Sequence, residues 1–500
     1  MLAIPYLRAL PAAPEGWPHR RRTGSLIAGF LLGALALGAA STAQGQVPTM
    51  KYVVTDLGSL DLSVGNTIAQ GINNAGQVVG YTRLGATFDF PSRAFRTGPN
   101  QPIHLSDDLG TLGGASSFAY AINSSGQVVG DADTALAGPF GSVVRRAFRA
   151  DPGQPMIGLG TLAPSGGNNG FNNSGARGIN DQAVVVGNAT VPTNICVSAS
   201  RAFRTAPGSV INPATDDLGT LVPPTISCSS IRSSIAWGVN SAGTVVGDSA
   251  TTLATGTPNH AFRFISSGPM LDLGVLGLGP NSTAFAINNR DEAVGESQAY
   301  GTTRAFLKVG SNPLLDLGDL GGGSASATAI NTPLAGGDSQ VVGRSVTATS
   351  AFHGFVWTGN IVSGGTMIDL NTRIAAVSPW QITFARAING RGQIVGDALK
   401  DGVPFVYHAV RLDPSDVATG NLLASLSDPA LALTQGQASS LSDKLTNAIQ
   451  SILAGQYKQA INQLNAFIGA VQIQWKNGKI SSATAATLTD AAKAIIATLT

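Results

Sequence analysis

Seven copies of one short pattern dominate this chain and restrict it to a repeat fold. Each copy carries an (Ala/Gly)-(Ile/Val)-Asn triplet, a turn and a hydrophobic pair ending in glycine. A basic residue with Ala or Gly and Phe follows, and Asp-Leu-Gly comes last. The asparagine recurs as Asn73, Asn123, Asn180, Asn240, Asn288, Asn331 and Asn389. The glycine recurs as Gly80, Gly130, Gly187, Gly247, Gly295, Gly343 and Gly396. A 500-residue chain is long for one ordinary core, but repeats that pack mainly on their neighbours can form one domain.

The repeat reads as four strands. Phe118 to Ile122 alternates, Asn123 to Gly126 supplies turn residues, and Gln127 to Gly130 returns, which makes a hairpin of strands A and B. A third strand carries Arg-Ala-Phe-Arg, and a fourth reads like Leu-Leu-Asp-Leu at 314–317. Four strands in about fifty residues make one propeller blade. The first copy is preceded by Tyr52-Val-Val-Thr-Asp56-Leu-Gly, a fourth strand, whereas the seventh stops after its third strand near Pro414. Pairing the two closes a ring and removes exposed sheet edges. The expected fold is therefore an all-β, seven-bladed β-propeller over residues 50–414, closed by its N-terminal strand.

The flanks differ from the repeats. Residues 1–43 run from His19-Arg20-Arg21-Arg22 into an apolar stretch, Leu26 to Ala40, and then small residues, the order of a signal peptide. The expectation is an extracellular or secreted protein, in the periplasm or at the cell surface. Without Arg8, Arg20, Arg21, Arg22 and Glu15, the 30 basic and 28 acidic residues become 26 and 27. A near-neutral chain with scattered charge lacks the basic stripe that nucleic acid requires. No second apolar run is long enough for a transmembrane segment. Beyond residue 414 glycine falls and helical periodicity rises, so 415–437 reads as linker or helix and 438–500 as a three-helix bundle.

His260-Ala261-Phe262, with Ile-Asn-x-x-Gly-x-Val-Val-Gly and Asp-Leu-Gly-x-Leu, resembles the bacterial extracellular HAF repeat family over residues 50–414. That resemblance implies extracellular location and repetition and brings no activity with it. The sequence departs from the pattern at Gly158, where the third unit should carry Asp, and at Val410, where the last should carry Phe. The helical tail resembles FIMAH, a small C-terminal module of bacterial secreted proteins, which implies attachment or spacing. A generic antiparallel bundle is the other reading.

Catalytic chemistry is hard to find. The strand-C bases Arg93, Arg146, Arg201, His260, Arg304, His353 and His408 recur in step with Asp56, Asp108, Asp217, Asp272, Asp316 and Asp369, so structural pairing is expected. Three histidines in three blades do not converge on a metal, and no cofactor is expected. Asp291-Glu292 and Glu296 break the repeat pattern in one unit, but their place at a hairpin turn argues against an acid–base pair.

Three features remain as candidates. Cys196 and Cys228 fall in connections on one propeller face and are expected to form a disulfide worth roughly 3–4 kcal/mol, with buried thiols as the alternative. Long divergent connections such as 131–145, 188–200 and 219–233 crowd that face. The strand-A position two before Ile/Val is likewise non-repeating: Gln70, Tyr120, Arg177, Trp237, Phe285, Thr328 and Arg386. If these side chains reach the channel mouth, Tyr120, Arg177, Trp237, Phe285 and Arg386 are the candidate ligand-binding residues; otherwise they pack between unlike blades. The functional expectation is a secreted, non-enzymatic binding scaffold that recognises an extracellular protein or glycan, at a cell surface, in a matrix or as polysaccharide, through the long loops on one propeller face. A propeller-fold carbohydrate-active enzyme or a structural component of an extracellular layer are the alternatives.

Overall fold

The structure is a computed structural model that describes residues 50–61, 66–85, 91–138, 142–163, 172–191, 199–222, 233–251, 258–265, 268–299, 301–334, 336–404 and 406–500. Seven antiparallel sheets follow one another along the chain as blades. Blade four shows the order A to D plainly: Ser234–Val239, Val245–Ala250, Asn259–Phe264 and Leu271–Gly274. In blades one and three the fourth strand is reduced to single bridges, Phe95 to Asp108 and Phe203 to Asp217. Blade seven takes its fourth strand from the other end of the repeat region. Tyr52–Asp56 pairs antiparallel with Tyr407–Pro414, so that Asp56 lies opposite Val410.

The Ala-Phe dipeptide of strand C explains how blades stack. Successive strand residues face opposite sides of a sheet, so the Phe points at one neighbouring blade and the Ala at the other. Phe262 packs with Ala202 and Val186 of the preceding blade, and Phe306 with Ala261 and Val246. The small residue makes room for the next blade's ring. Each fully buried Phe contributes about 2–3 kcal/mol. Blade seven solves the same problem differently. Ile382 stands where most blades begin strand A with Ser, Val410 replaces Phe, and blade six offers Gly354, on which a Cβ would lie 2.9 Å from Ile382 Cγ2. Ile382 and Val410 share one core cluster, so volume is redistributed rather than lost.

The glycine of strand B is fixed by close approach. In all seven blades a Cβ there would sit 1.8–2.0 Å from a carbonyl oxygen of strand A. The asparagine acts twice. Its Oδ1 accepts turn N–H groups, as Asn73 does from Ala75 and Gln77. Its Nδ2 donates to the backbone carbonyl of the next blade's asparagine. These bonds, at 2.9–3.2 Å, run from Asn73 to Asn123, Asn180, Asn240, Asn288, Asn331 and Asn389, and Asn389 returns to Asn73.

Beyond the ring lie four helices, the first within the 415–437 stretch for which the sequence offered linker or helix. They are α1 (Ser415–Ser425), α2 (Gln435–Leu453), α3 (Tyr457–Lys476) and α4 (Ser482–Leu499). The first is no linker, because Leu422 and Leu426 enter the same core as Leu441, Leu464, Phe467 and Leu488. Thr434 and Ser481 cap α2 and α4, while Gly455 and Gly478 adopt positive φ just beyond α2 and α3. The bundle core also takes up Val53 of the closing strand, and Ser415 donates its N–H to Lys51 O at 3.0 Å. Among the described residues, no helix is long and apolar enough to cross a membrane.

Candidate functional site

A β-bulge in strand A builds the site. In blade one Ala69 pairs with Gly80 and Gly71 with Val79, leaving Gln70 outside the ladder. The same skip leaves out Tyr120, Arg177, Trp237, Phe285, Thr328 and Arg386 in the other six blades. A bulge re-aims the extra residue, and here all seven line one axial cavity of about 310 Å³, with Phe384. The strand-B glycine permits the close approach behind each bulge. The repeat therefore supplies an identical backbone device that presents a different side chain from every blade.

The lining is rich in rings and guanidinium groups. Arg177 lies over Tyr120 at 4.3 Å and Trp237 at 5.5 Å, Trp237 meets Phe285 edge-on at 5.7 Å, and Arg386 covers Phe384 at 4.4 Å. Each arginine is charge-matched: Arg177 to Asp131 at 3.5 Å and Arg386 to Asp397 at 2.7 Å. Trp237 donates Nε1–H to Asp248 at 2.7 Å. Burial pushes the carboxyls of Asp131, Asp248 and Asp397 above the usual range, against the pull of these partners. It also pushes the Tyr120 phenol up to about 12.

Those three aspartates, together with Phe384, are what sequence reasoning missed as site residues. They follow the invariant strand-B glycine directly, at a position that reads Tyr81, Asp131, Asn188, Asp248, Glu296, Arg344 and Asp397. Its lack of repetition was the available signal. A second recess of about 280 Å³ adjoins the axial cavity through Arg177 and is lined by Asp131, Arg145, Ser174, Asn188 and Thr190 among others. At the opposite, hairpin-turn end of the axis, a separate cavity of about 440 Å³ is lined by the Ile/Val residues and asparagines of the ring.

The outer bases and aspartates form structural pairs. Arg93–Asp108, His260–Asp272, Arg304–Asp316, His353–Asp369 and His408–Asp56 lie within 2.6–3.7 Å. The Asp-Leu-Gly aspartates also accept the N–H two residues on, as Asp272 does from Gly274. Gly158 belongs to blade two, opposite Phe148, not to a third unit, because the fourth strand follows its own blade's third. Arg146 of that blade, which faces no Asp-Leu-Gly carboxylate, donates instead to Asn172 O. Asp291 pairs with Arg263 and Glu292 accepts from Asn288, so both serve the ring end. Cys196, Cys228 and the tips of most long connections lie outside the described residues. No group of three or more His, Cys, Asp or Glu suited to a metal occurs among the described residues.

No curated protein matches the chain. A solved structure described as "The beta-propeller domain of the Trilobed protease from Pyrococcus furiosus reveals an open velcro topology" is similar at 10% identity and a TM-score of 0.30, covering 63% of this chain and 100% of that one. At that score the likeness supports nothing further, and the propeller assignment stands on the sheets themselves. Residues 430–497, the stretch that holds α2, α3 and nearly all of α4, match the model of the FIMAH domain.

Proposed function

We propose that the protein is an exported, non-enzymatic binding scaffold that holds a cell-surface, matrix or polysaccharide partner at the axial cavity. The observation that carries this reading is the convergence of seven non-repeating bulge residues on one cavity within an otherwise repetitive ring. Repetition conserves what closes the ring, and variation falls where a ligand would touch. The HAF-like repeats and the basic, apolar leader support export, and the FIMAH match supports a role for the tail in attachment or spacing.

A hydrolase reading would draw on the buried aspartates. Asp131 and Asp397 are engaged by arginines and Asp248 by Trp237 and Asn259, an arrangement suited to holding the lining in place. The test is binding of residues 44–500 to intact bacterial cells and a broad glycan array, beside Gln70→Trp, which fills the cavity from the bulge of blade one. Saturable binding that is lost in Gln70→Trp, at unchanged melting temperature, supports the reading. Binding indifferent to the substitution moves the site off the axis.

A further inference from the structure

We propose that the axial cavity and its adjoining recess take the free end of a neutral carbohydrate chain. The proposal rests on the binding-scaffold reading and specifies its ligand.

Charge decides the first part. Arg177 and Arg386 are the cations of the axial cavity, and each already faces a buried carboxylate, Asp131 or Asp397, that is 3–4% exposed. Arg145, at the recess, is likewise paired with Asp133 at 2.9 Å. Both lining cations are thus already answered, and Asp248 adds a buried carboxyl held by Trp237 and Asn259 alone, so an anionic ligand would meet no free cation among the lining residues, at a cost of several kcal/mol. A hydroxyl-rich neutral ligand carries no such cost.

Unmet hydrogen-bonding capacity decides the second. At the recess Asp131 Oδ1 and Asn188 Oδ1 are buried acceptors without a hydrogen-bond donor, and Arg177 Nε is a buried donor without an acceptor. Such groups need partners. Sugar hydroxyls both donate and accept, so one ligand type answers acceptors and donor together. The walls match the other face of a pyranose: although only 6% of residues are aromatic, Tyr120, Trp237, Phe285 and Phe384 gather here.

Topology decides the third. Among the described residues, the axial cavity is lined from all seven blades, its adjoining recess is reached past Arg177, and it shares no lining residue with the cavity at the asparagine ring. A lining drawn from every blade favours arrival along the axis, from the face opposite the A–B turns. A chain end can do so, whereas the middle of a chain would have to fold double.

The test is isothermal titration of residues 44–500 with linear gluco-, manno-, galacto- and xylo-oligosaccharides. Each is offered free and with bulky groups at both ends, with oligogalacturonate as the charged comparison. The expected result is binding of at least one neutral free oligosaccharide, roughly tenfold or more weaker when both ends are blocked and abolished in Gln70→Trp. Equal binding of the blocked form overturns end recognition, and tighter binding of oligogalacturonate overturns neutrality. If no neutral oligosaccharide binds while cell binding stays sensitive to Gln70→Trp, this inference fails and the scaffold reading stands. If cell binding is also insensitive, both fail.

Discussion

The side-chain amide of Asn389 donates to the backbone carbonyl of Asn73 at 2.9 Å, joining residues 316 apart in the chain. It is the last of seven equivalent bonds, and it makes the ring continuous at its inner edge where the closing strand makes it continuous at the outer one. Asn389→Ala removes this bond, leaves Asn73 O with the Gly76 N–H alone, and unsupports the turn whose Arg391 and Gln393 N–H groups Asn389 Oδ1 accepts. The expected loss is about 2–3 kcal/mol in denaturant unfolding, and Asn389→Asp, which keeps the turn acceptor but sets a buried carboxylate oxygen against Asn73 O, should lose at least as much.

Gly396→Ala meets Phe384 O at 1.9 Å, and the obstacle is backbone. Relief requires undoing the bulge that carries Arg386. We expect a loss of about 3 kcal/mol or more, with a weakened ligand response even where the protein folds, read by calorimetry and titration together.

Gly158→Asp should stabilise. A Cβ at this position would make only ordinary contacts, 3.5 Å from Leu112, and the new carboxylate would face Arg146 and accept from Gly160 N–H as its counterparts do. A gain of about 0.5–1 kcal/mol is expected from pairing and reduced freedom of the unfolded chain, measured as a rise in denaturation midpoint that shrinks in high salt.

Val53→Asp tests the clasp between helices and ring. Val53 packs on the bundle core, while its strand pairs with Tyr407–Pro414. In a Trp475→Phe background, where the remaining tryptophans of 44–500 report on the ring, the substitution should cost about 2–3 kcal/mol and lower the helix signal and tryptophan fluorescence midpoints together, since one strand serves both cores. A shift in only one probe would show that they unfold independently.

Asp248→Asn tests the buried carboxyls. Burial raises the Asp248 pKa in the folded state against the pull of Trp237 and Asn259. Between the unfolded and folded pKa values the native state binds more protons, so this group's contribution to stability grows as pH falls through the folded pKa and is lost as pH rises. The asparagine variant should therefore compare best with the wild type near pH 7 and lose ground on acidification toward pH 4, measured by denaturant unfolding across pH.

By itself the sequence determined the ring. A period of about fifty residues, an Asn-x-x-Gly turn and a fourth strand displaced to the N-terminal end suffice, because turn chemistry and two-residue alternation are local and sheet edges must be paired. It also showed that position 70 and its equivalents vary. Tertiary structure alone decided that these seven residues meet. A bulge is a mismatch between two strands and cannot be read from either, and neither can the strand-A carbonyl that forbids a side chain on Gly80. The same holds for α1: its pattern is faint until Leu422 and Leu426 find the bundle core. It holds also for Asp131, Asp248 and Asp397: the variation at their position is visible along the chain, but they become site residues only when the fold sets Arg177, Trp237 and Arg386 against them.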